Sequence, residues 1–310
     1  MTFSYTPLRY PGGKAKLGPY LSDVLRANKL VDGCYAEPYA GGAGAGLHLL
    51  FRGYASQLQL NDIDRGVVSF WRAVLAHSEK FARKIERVPL TVVQWDKQKA
   101  ILQSAPMGFD LGFAFFYLNR TNRSGIMNGG IIGGRRQKGE WLIDARFNRA
   151  ALAARVRAIG TMKRHISVTR LDALDFIDLV ADDETTKRLV YLDPPYFAKG
   201  QDLYPNFYSP DDHAGIALRL GAFAQPWMMT YDDCDEIRAL YQTSTVLDSE
   251  LSYSAREVRR GREVIVFGGG LHPAPARAAS DRPQGFTVFQ TSACSVETFR
   301  KAPTEDHEVM

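Results

Sequence analysis

The stretch that most restricts the fold is CYAEPYAGGAGAGLHLLF, residues 34–51, followed by SQLQLND, residues 56–62. A short apolar run meets a carboxylate, Glu37, passes through glycines at 41, 42, 44 and 46, and enters a helical pattern. A second apolar run then ends on Asp62. Strand, glycine turn, helix and strand in that order open a doubly wound α/β sheet. Glycines in the turn let a ligand approach the backbone, because no Cβ stands in the way. The spacing is not GxGxxG and no GxxxxGK[ST] occurs, so neither a dinucleotide fingerprint nor a P-loop is present. Asp62 lies about 20 residues on, where a carboxylate can accept hydrogen bonds from ribose hydroxyls. A glycine-rich helix start beside a surface Asp reads the turn equally well when taken alone. Glu37 at the mouth of the turn would repel a pyrophosphate. It suits a cofactor carrying positive charge, which tilts the reading from NAD towards S-adenosylmethionine.

Further strands are expected at ISVT (166–169), RLVYLD (188–193), PWMMTY (226–231), STVL (244–247), EVIVF (263–267) and a last GFTVF. Segments 65–77, 79–103, 110–119 and 149–160 carry helical patterns. The pattern predicts an α/β core, residues 1–65 and 164–300, interrupted by a mostly helical insertion at 66–163. The stretch 268–283, rich in Gly, Pro and Ala, reads as a loop, and the polar tail 301–310 as disordered.

Composition narrows the class. With 310 residues, 45% hydrophobic and 24% charged, the chain reads as a soluble globular protein of one large or two ordinary domains. It has no run of eighteen apolar residues, so no membrane partner is expected. The N-terminal MTFSYTPLRYPGGK lacks a signal-peptide h-region. Cys34, Cys234 and Cys294 are too dispersed for a disulfide framework or a zinc site, which makes a reducing cytoplasm the expected compartment. A net charge of +5 is a weak pointer to a polyanionic partner.

In LVYLDPPYF (189–197) a buried-strand pattern stops on Asp193. An ionised Asp only accepts hydrogen bonds, so it can hold an amino group. Pro194 and Pro195 stiffen the turn and remove N–H donors, leaving the Pro194 carbonyl as a second acceptor. Tyr196 or Phe197 can stack on a planar base, a contact of roughly 1–3 kcal/mol. Two acceptors and a ring form a receptor for an aromatic amine.

Four separated motifs, RYPGGK (9–14), EPYAGGAG (37–44), NDID (61–64) and DPPY (193–196), resemble in this order the Dam-type (D12 class, alpha-group) DNA adenine-N6 methyltransferases. The likeness runs from about residue 8 to 267, and departs from the usual pattern at Tyr39 (commonly Phe) and Tyr10 (often Trp). It implies a Rossmann-like S-adenosylmethionine-dependent core with an inserted DNA-recognition domain. It further implies S-adenosylmethionine as cofactor, S-adenosylhomocysteine as product, and no metal. Carried over by motif, Tyr10, Gly12 and Lys14 would meet the methionine end of the cofactor, with Lys14 pairing its carboxylate. Glu37, Tyr39 and Gly41 would line that side, and Asp62 would bind the ribose. Asp172 resembles the residue that meets the cofactor's adenine, although a helix N-cap explains it equally. Asp193, Pro194, Pro195 and Tyr196 would hold the target adenine. The segments 227–233 and 253–267 resemble later motifs with mostly structural roles.

The stretch 119–149 carries Arg120, Arg123, Arg135, Arg136, Lys138, Arg146 and Arg149 against Glu140 and Asp144. This suits a flexible basic hairpin that neutralises phosphates in a groove of duplex DNA. Its LNRTNRSGIMNGG, with Asn119 and Asn128, resembles the family's segment ahead of the DNA-binding hairpin. Arg256, Arg259, Arg260 and Arg262 form a second basic cluster. Cytosine N4, an RNA or a protein amide stand as alternative acceptors, and a non-catalytic nucleic-acid-binding protein as the contrasting class. A bacterial, archaeal or phage-type, nucleoid-associated enzyme is expected. The recognition sequence, oligomeric state and any restriction endonuclease partner are left open.

Overall fold

The computed structural model describes residues 5–10, 14–183, 187–197, 208–254, 258–275 and 286–289. Among them, eight strands form one sheet in the order β3-β2-β1-β4-β5-β7-β6-β8. These are β1 (Gly33–Glu37), β2 (Ala55–Asn61), β3 (Ile166–Thr169), β4 (Arg188–Leu192), β5 (Trp227–Asp232), β6 (Thr245–Ser254), β7 (Val258–Gly268) and β8 (Phe286–Phe289). The pairs from β3 through β5 are parallel, whereas β7 runs antiparallel between β5 and β6. Strand order reverses between β1 and β4. The crevice at the carboxyl ends of the strands beside such a switch is where open α/β sheets take ligands.

The strands alternate between two apolar layers. Tyr35, Leu189, Tyr191, Met228, Ile265 and Phe267 point into one cluster, which also holds Leu21, Leu47, Phe70 and Phe113. Ala36, Val190, Leu192, Met229, Val264 and Val266 point into the other, with Phe176, Ile216 and Ile237. A period of two with both faces apolar is what a sheet covered on both sides requires. The first layer carries α1 (Gly18–Ala27) and α2 (Gly44–Phe51). The second carries α7 (Ala173–Ala181), α8 (Pro210–Gly221) and α9 (Asp235–Leu240). The expected doubly wound α/β class is therefore observed.

Between β2 and β3 the chain leaves the sheet as α3 (Arg65–Arg87), α4 (Val92–Ser104), α5 (Phe109–Thr121) and α6 (Arg149–Thr161). The expected 79–103 helix is in fact split. Pro89 drives Val88 out of the helical region, to φ −59 and ψ 130, and the Thr91 hydroxyl starts α4 by accepting the Gln94 N–H at 3.2 Å. Gly112 lets α5 cross α3 closely, since a Cβ there would lie 2.4 Å from the Ser69 carbonyl oxygen. The basic stretch after α5 is a compact knot rather than a hairpin of paired strands. Its only described bridge joins Asn122 to Ile131. The Asn122 amide explains the compaction, donating to the Ile126 and Met127 carbonyls at 2.9 Å while its oxygen takes the Trp95 indole N–H at 2.7 Å. No helix among the described residues is long and apolar enough to cross a membrane.

Candidate functional site

The ends of β1, β2, β4 and β5 bring acidic side chains to one edge. Glu37 closes β1 and is buried; its Oε1 accepts the Gly46 N–H at 3.3 Å. Burial pushes its carboxyl up to about 8, with Asp193 adding to the shift. Asn61 closes β2 and laces three strand ends together, donating to the Pro38 and Leu171 carbonyls and accepting from Thr169 and Leu171. Asp62 then sits under the glycine turn. Its oxygens accept the N–H groups of Gly41 and Asp64, each at 2.9 Å. Burial raises its carboxyl to about 6 against the pull of those two donors. Asp64 is the N-cap of α3, accepting from Gly66 and Val67.

The glycine turn is tight for a physical reason. Gly41 adopts φ +43, a left-handed conformation that side chains disfavour, and a Cβ on it would stand 3.1 Å from the Tyr10 ring. Tyr10 thus packs over the turn from outside. Trp71 on α3 donates its indole N–H to the Gly41 carbonyl at 2.9 Å, anchoring the turn to the insertion. A Cβ on Gly46 would lie 3.2 Å from Tyr35 and 3.5 Å from a Glu37 oxygen.

Asp193 leaves the end of β4 and receives the Thr230 hydroxyl of β5 on Oδ1 at 3.0 Å. The Lys14 ammonium lies 3.4 Å from the same oxygen. Enclosure raises the Asp193 carboxyl, opposed by Lys14 and Thr230. Lys14 is buried, and its ammonium also reaches both oxygens of Glu263, at 3.1 and 3.0 Å, and the Tyr196 hydroxyl at 3.2 Å. Burial alone would lower the Lys14 pKa; Asp193 and Glu263 outweigh it and hold the ammonium above its usual range. Tyr196 donates to Glu263 in turn. The turn after the prolines is pinned by the Phe197 N–H, which donates to Asp232 at 2.9 Å.

Glu263 is the site residue that sequence reading misses. Segment 253–267 was expected to be structural, yet β7 runs back along β5 with Glu263 paired opposite Asp232. Only that antiparallel register brings its carboxylate to Lys14. One sequence signal existed: a Glu at the start of the otherwise apolar run EVIVF, a position that burial normally forbids without a cation.

The remaining expected residues fall as follows. Tyr39 is half-buried and shares a hydroxyl contact with Tyr208 at 3.1 Å. Asp172 is exposed and caps α7, accepting the Leu174 N–H at 2.9 Å. Gly12 and Arg256 lie outside the described residues, as do the side chains of Arg259 and Arg260. Asn119 is buried and faces the protein: it accepts the Arg9 N–H at 2.7 Å and donates to the Arg9 and Gly125 carbonyls. Arg120 is turned onto the Arg146 carbonyl, and Arg123 onto Gly129. Arg135 forms a two-pronged pair with Asp96 at 2.8 Å. Asn128, Arg136 and Lys138 are exposed, and Arg149 is spent on carbonyls at the end of α3. Among the described residues no cluster of His, Cys, Asp and Glu is arranged to hold a metal ion.

Residues 10–255 match the family model of the D12 class N6 adenine-specific DNA methyltransferases. Among solved structures, the rRNA methyltransferase aviRa from Streptomyces viridochromogenes is 12% identical, with 84% of this chain and 87% of that chain covered and a TM-score of 0.39. Protein LPL1258 from Legionella pneumophila is 9% identical, with 90% and 96% covered and a TM-score of 0.37. No curated protein matches the chain.

Proposed function

Because the chain belongs to the D12 class N6 adenine-specific DNA methyltransferase family, we propose that it transfers a methyl group from S-adenosylmethionine to the N6 of an adenine turned out of duplex DNA. The observation that carries this reading is Asp193. Both its described contacts fall on Oδ1, so Oδ2 can face an amino group at the ligand edge of the sheet.

The side chains fit the cofactor. Lys14 is paired with Asp193 and Glu263, Glu37 and Asp62 stand at the neighbouring strand ends, and burial raises all four carboxyls. A cationic ligand beside them would favour their ionised forms. Gly41 and Gly46 let Tyr10, Tyr35 and Glu37 pack directly on the backbone of the turn, where a Cβ would crowd them. Glu37, Tyr39 and Gly41 would hold the methionine side, Tyr10 would cover the turn, and Asp62 would accept ribose hydroxyls on its remaining lone pairs. Asp172 would stand near the adenine end. When bound, S-adenosylmethionine supplies an electrophilic methyl group. Lys14 is already committed to Glu263 and Tyr196, so pairing with a cofactor carboxylate would draw on its longer contact to Asp193.

On the acceptor side, Asp193 and the Pro194 carbonyl would take hydrogen bonds from the amino group. Electron density on the nitrogen then rises, and positive charge developing there is stabilised. Pro195 fixes the turn, and the Tyr196 ring, tethered through its hydroxyl to Glu263, would stack on the base. Because the amino group is inaccessible inside a duplex, the base must leave the stack. The protein's main contribution is then positioning, and the displaced proton passes to water. The helical insertion serves as the target-recognition part, with Asn128, Arg136 and Lys138 free to meet DNA.

The test uses S-adenosylmethionine labelled in its methyl group, mixed-sequence duplex DNA, and nucleoside mass spectrometry. Label in N6-methyladenine is expected; label in N4-methylcytosine, or in RNA only, overturns the assignment. Asp193→Ala should keep duplex binding and lose at least about 100-fold in transfer rate. An active Asp193→Ala protein would remove Asp193 from the mechanism.

A further inference from the structure

Of the four tryptophans, Trp71, Trp95 and Trp227 are 1%, 5% and 2% exposed, whereas Trp141 is 59% exposed and its neighbour Leu142 39%. An indole left in water forgoes one of the largest apolar burials a side chain can make. The loop that carries it is nevertheless tightly built. Gln137 donates to the Ile132 and Gly134 carbonyls at 2.8 and 2.6 Å and accepts the Ile143 N–H at 2.9 Å. Gln137 itself sits at φ 47, a left-handed conformation that side-chain-bearing residues seldom adopt. Such a conformation persists where its surroundings over-determine it, and here the amide closes the loop. The Arg135–Asp96 pair ties the same loop to α4, and Ile143 and Phe147 are buried beneath it. Trp141 is held outward by its scaffold.

Basic side chains outnumber the exposed Glu140 and Asp144 on the loop that carries the indole. The Arg146 guanidinium lies 5.7 Å from the ring centroid, and Arg136 and Lys138 are exposed on the same loop. The Arg146 carbonyl receives Arg120. Burial, then Arg9, Arg155 and Arg146, push the Arg120 guanidinium down to about 9. The same rim leads to the site already described: Arg9 is held by Asn119, and its chain neighbour Tyr10 covers Gly41.

We propose that Trp141, with Leu142, is a base-stacking contact to duplex DNA, lying against a base step while Arg136, Lys138 and Arg146 take the flanking phosphates. The inference rests on duplex DNA being the substrate. Phosphates alone need only the cations; a flat apolar ring adds binding where it meets the face of a base.

The test measures acrylamide quenching and duplex affinity for wild type, Trp141→Phe and Trp141→Ala. The quencher-accessible emission should belong to Trp141, vanish in Trp141→Phe, and become shielded when duplex saturates the wild type. Trp141→Ala should weaken duplex binding about tenfold, with the salt slope unchanged because the phosphate contacts remain. Trp141→Phe should recover most of the loss. Heparin, which has charge without bases, should bind all three alike. The proposal is overturned if Trp141→Ala binds duplex within about twofold of wild type, if Trp141 stays quenchable in the complex, or if heparin binding falls as far as duplex binding. Shielding without adenine methylation would sink the proposed reaction and leave the contact standing; methylation with unchanged Trp141→Ala affinity would do the reverse.

Discussion

Replacing Glu263 by Gln keeps the shape of the side chain and deletes the charge on which Lys14 depends. Glu263 is 2% exposed and presents its two oxygens to the ammonium at 3.1 and 3.0 Å. After the change, the described counter-charge is Asp193 alone, at 3.4 Å and 29% exposed. Removing one partner of a buried pair costs about 3–5 kcal/mol. Asp193 remains, so the lower end, about 3 kcal/mol, is expected. In urea, with a slope of roughly 1–3 kcal/mol/M, that is a midpoint shift of about 1 M or more. Lys14→Met should be damaging on its own, because it strands Glu263. Combined with Glu263→Gln it should cost less than the sum, since the double variant buries no unpaired charge at that position. A coupling of about 1–3 kcal/mol is expected from such a contact. Transfer should also slow in Glu263→Gln: Tyr196 loses its charged acceptor and Lys14 closes on Asp193, whereas cofactor affinity, which we propose Asp62 and Glu37 carry, should change less. Additive single and double variants, or a stability loss under about 1 kcal/mol, would refute the claim that a buried, charged contact organises this edge.

Three further outcomes follow from particular contacts. Gly112→Ala places a Cβ 2.4 Å from the Ser69 carbonyl oxygen; two helix backbones must part, and a loss of about 1–3 kcal/mol or more should appear in thermal unfolding. The Asp62 carboxyl stands at about 6 in the folded protein against 3.8 for a free Asp. The folded state therefore holds that proton more tightly, and its contribution to stability is complete below about pH 4 and lost as pH rises through 6. Asp62→Asn should flatten the stability profile in that window, and an unchanged profile would show that Asp62 is not the titrating group. Asp64→Ala removes the cap that holds the Gly66 and Val67 N–H groups, for about 1 kcal/mol, measurable as a shift in the denaturant midpoint.

The strand-and-turn grammar was legible in the sequence because each piece is local. Short apolar runs set the strands, glycines 41–46 marked the turn, and Asp193 before two prolines marked the strand end. The helix break at Pro89 was also written there, but a continuous apolar pattern on either side hid it. The basic stretch after α5 reads as a hairpin from composition alone, whereas Asn119 and Asn122 face inward and fold it into a knot.

The chain by itself determined a doubly wound sheet and the identity of most acids at its ligand edge, since local periodicity and turn chemistry suffice for both. Which cation answers those acids was decided only in three dimensions. Lys14, Asp193, Tyr196 and Glu263 come from distant parts of the chain, and the antiparallel return of β7 beside β5 carries Glu263 to them. No local pattern encodes such a meeting, because a buried charge is tolerated only after the tertiary fold has delivered its partner.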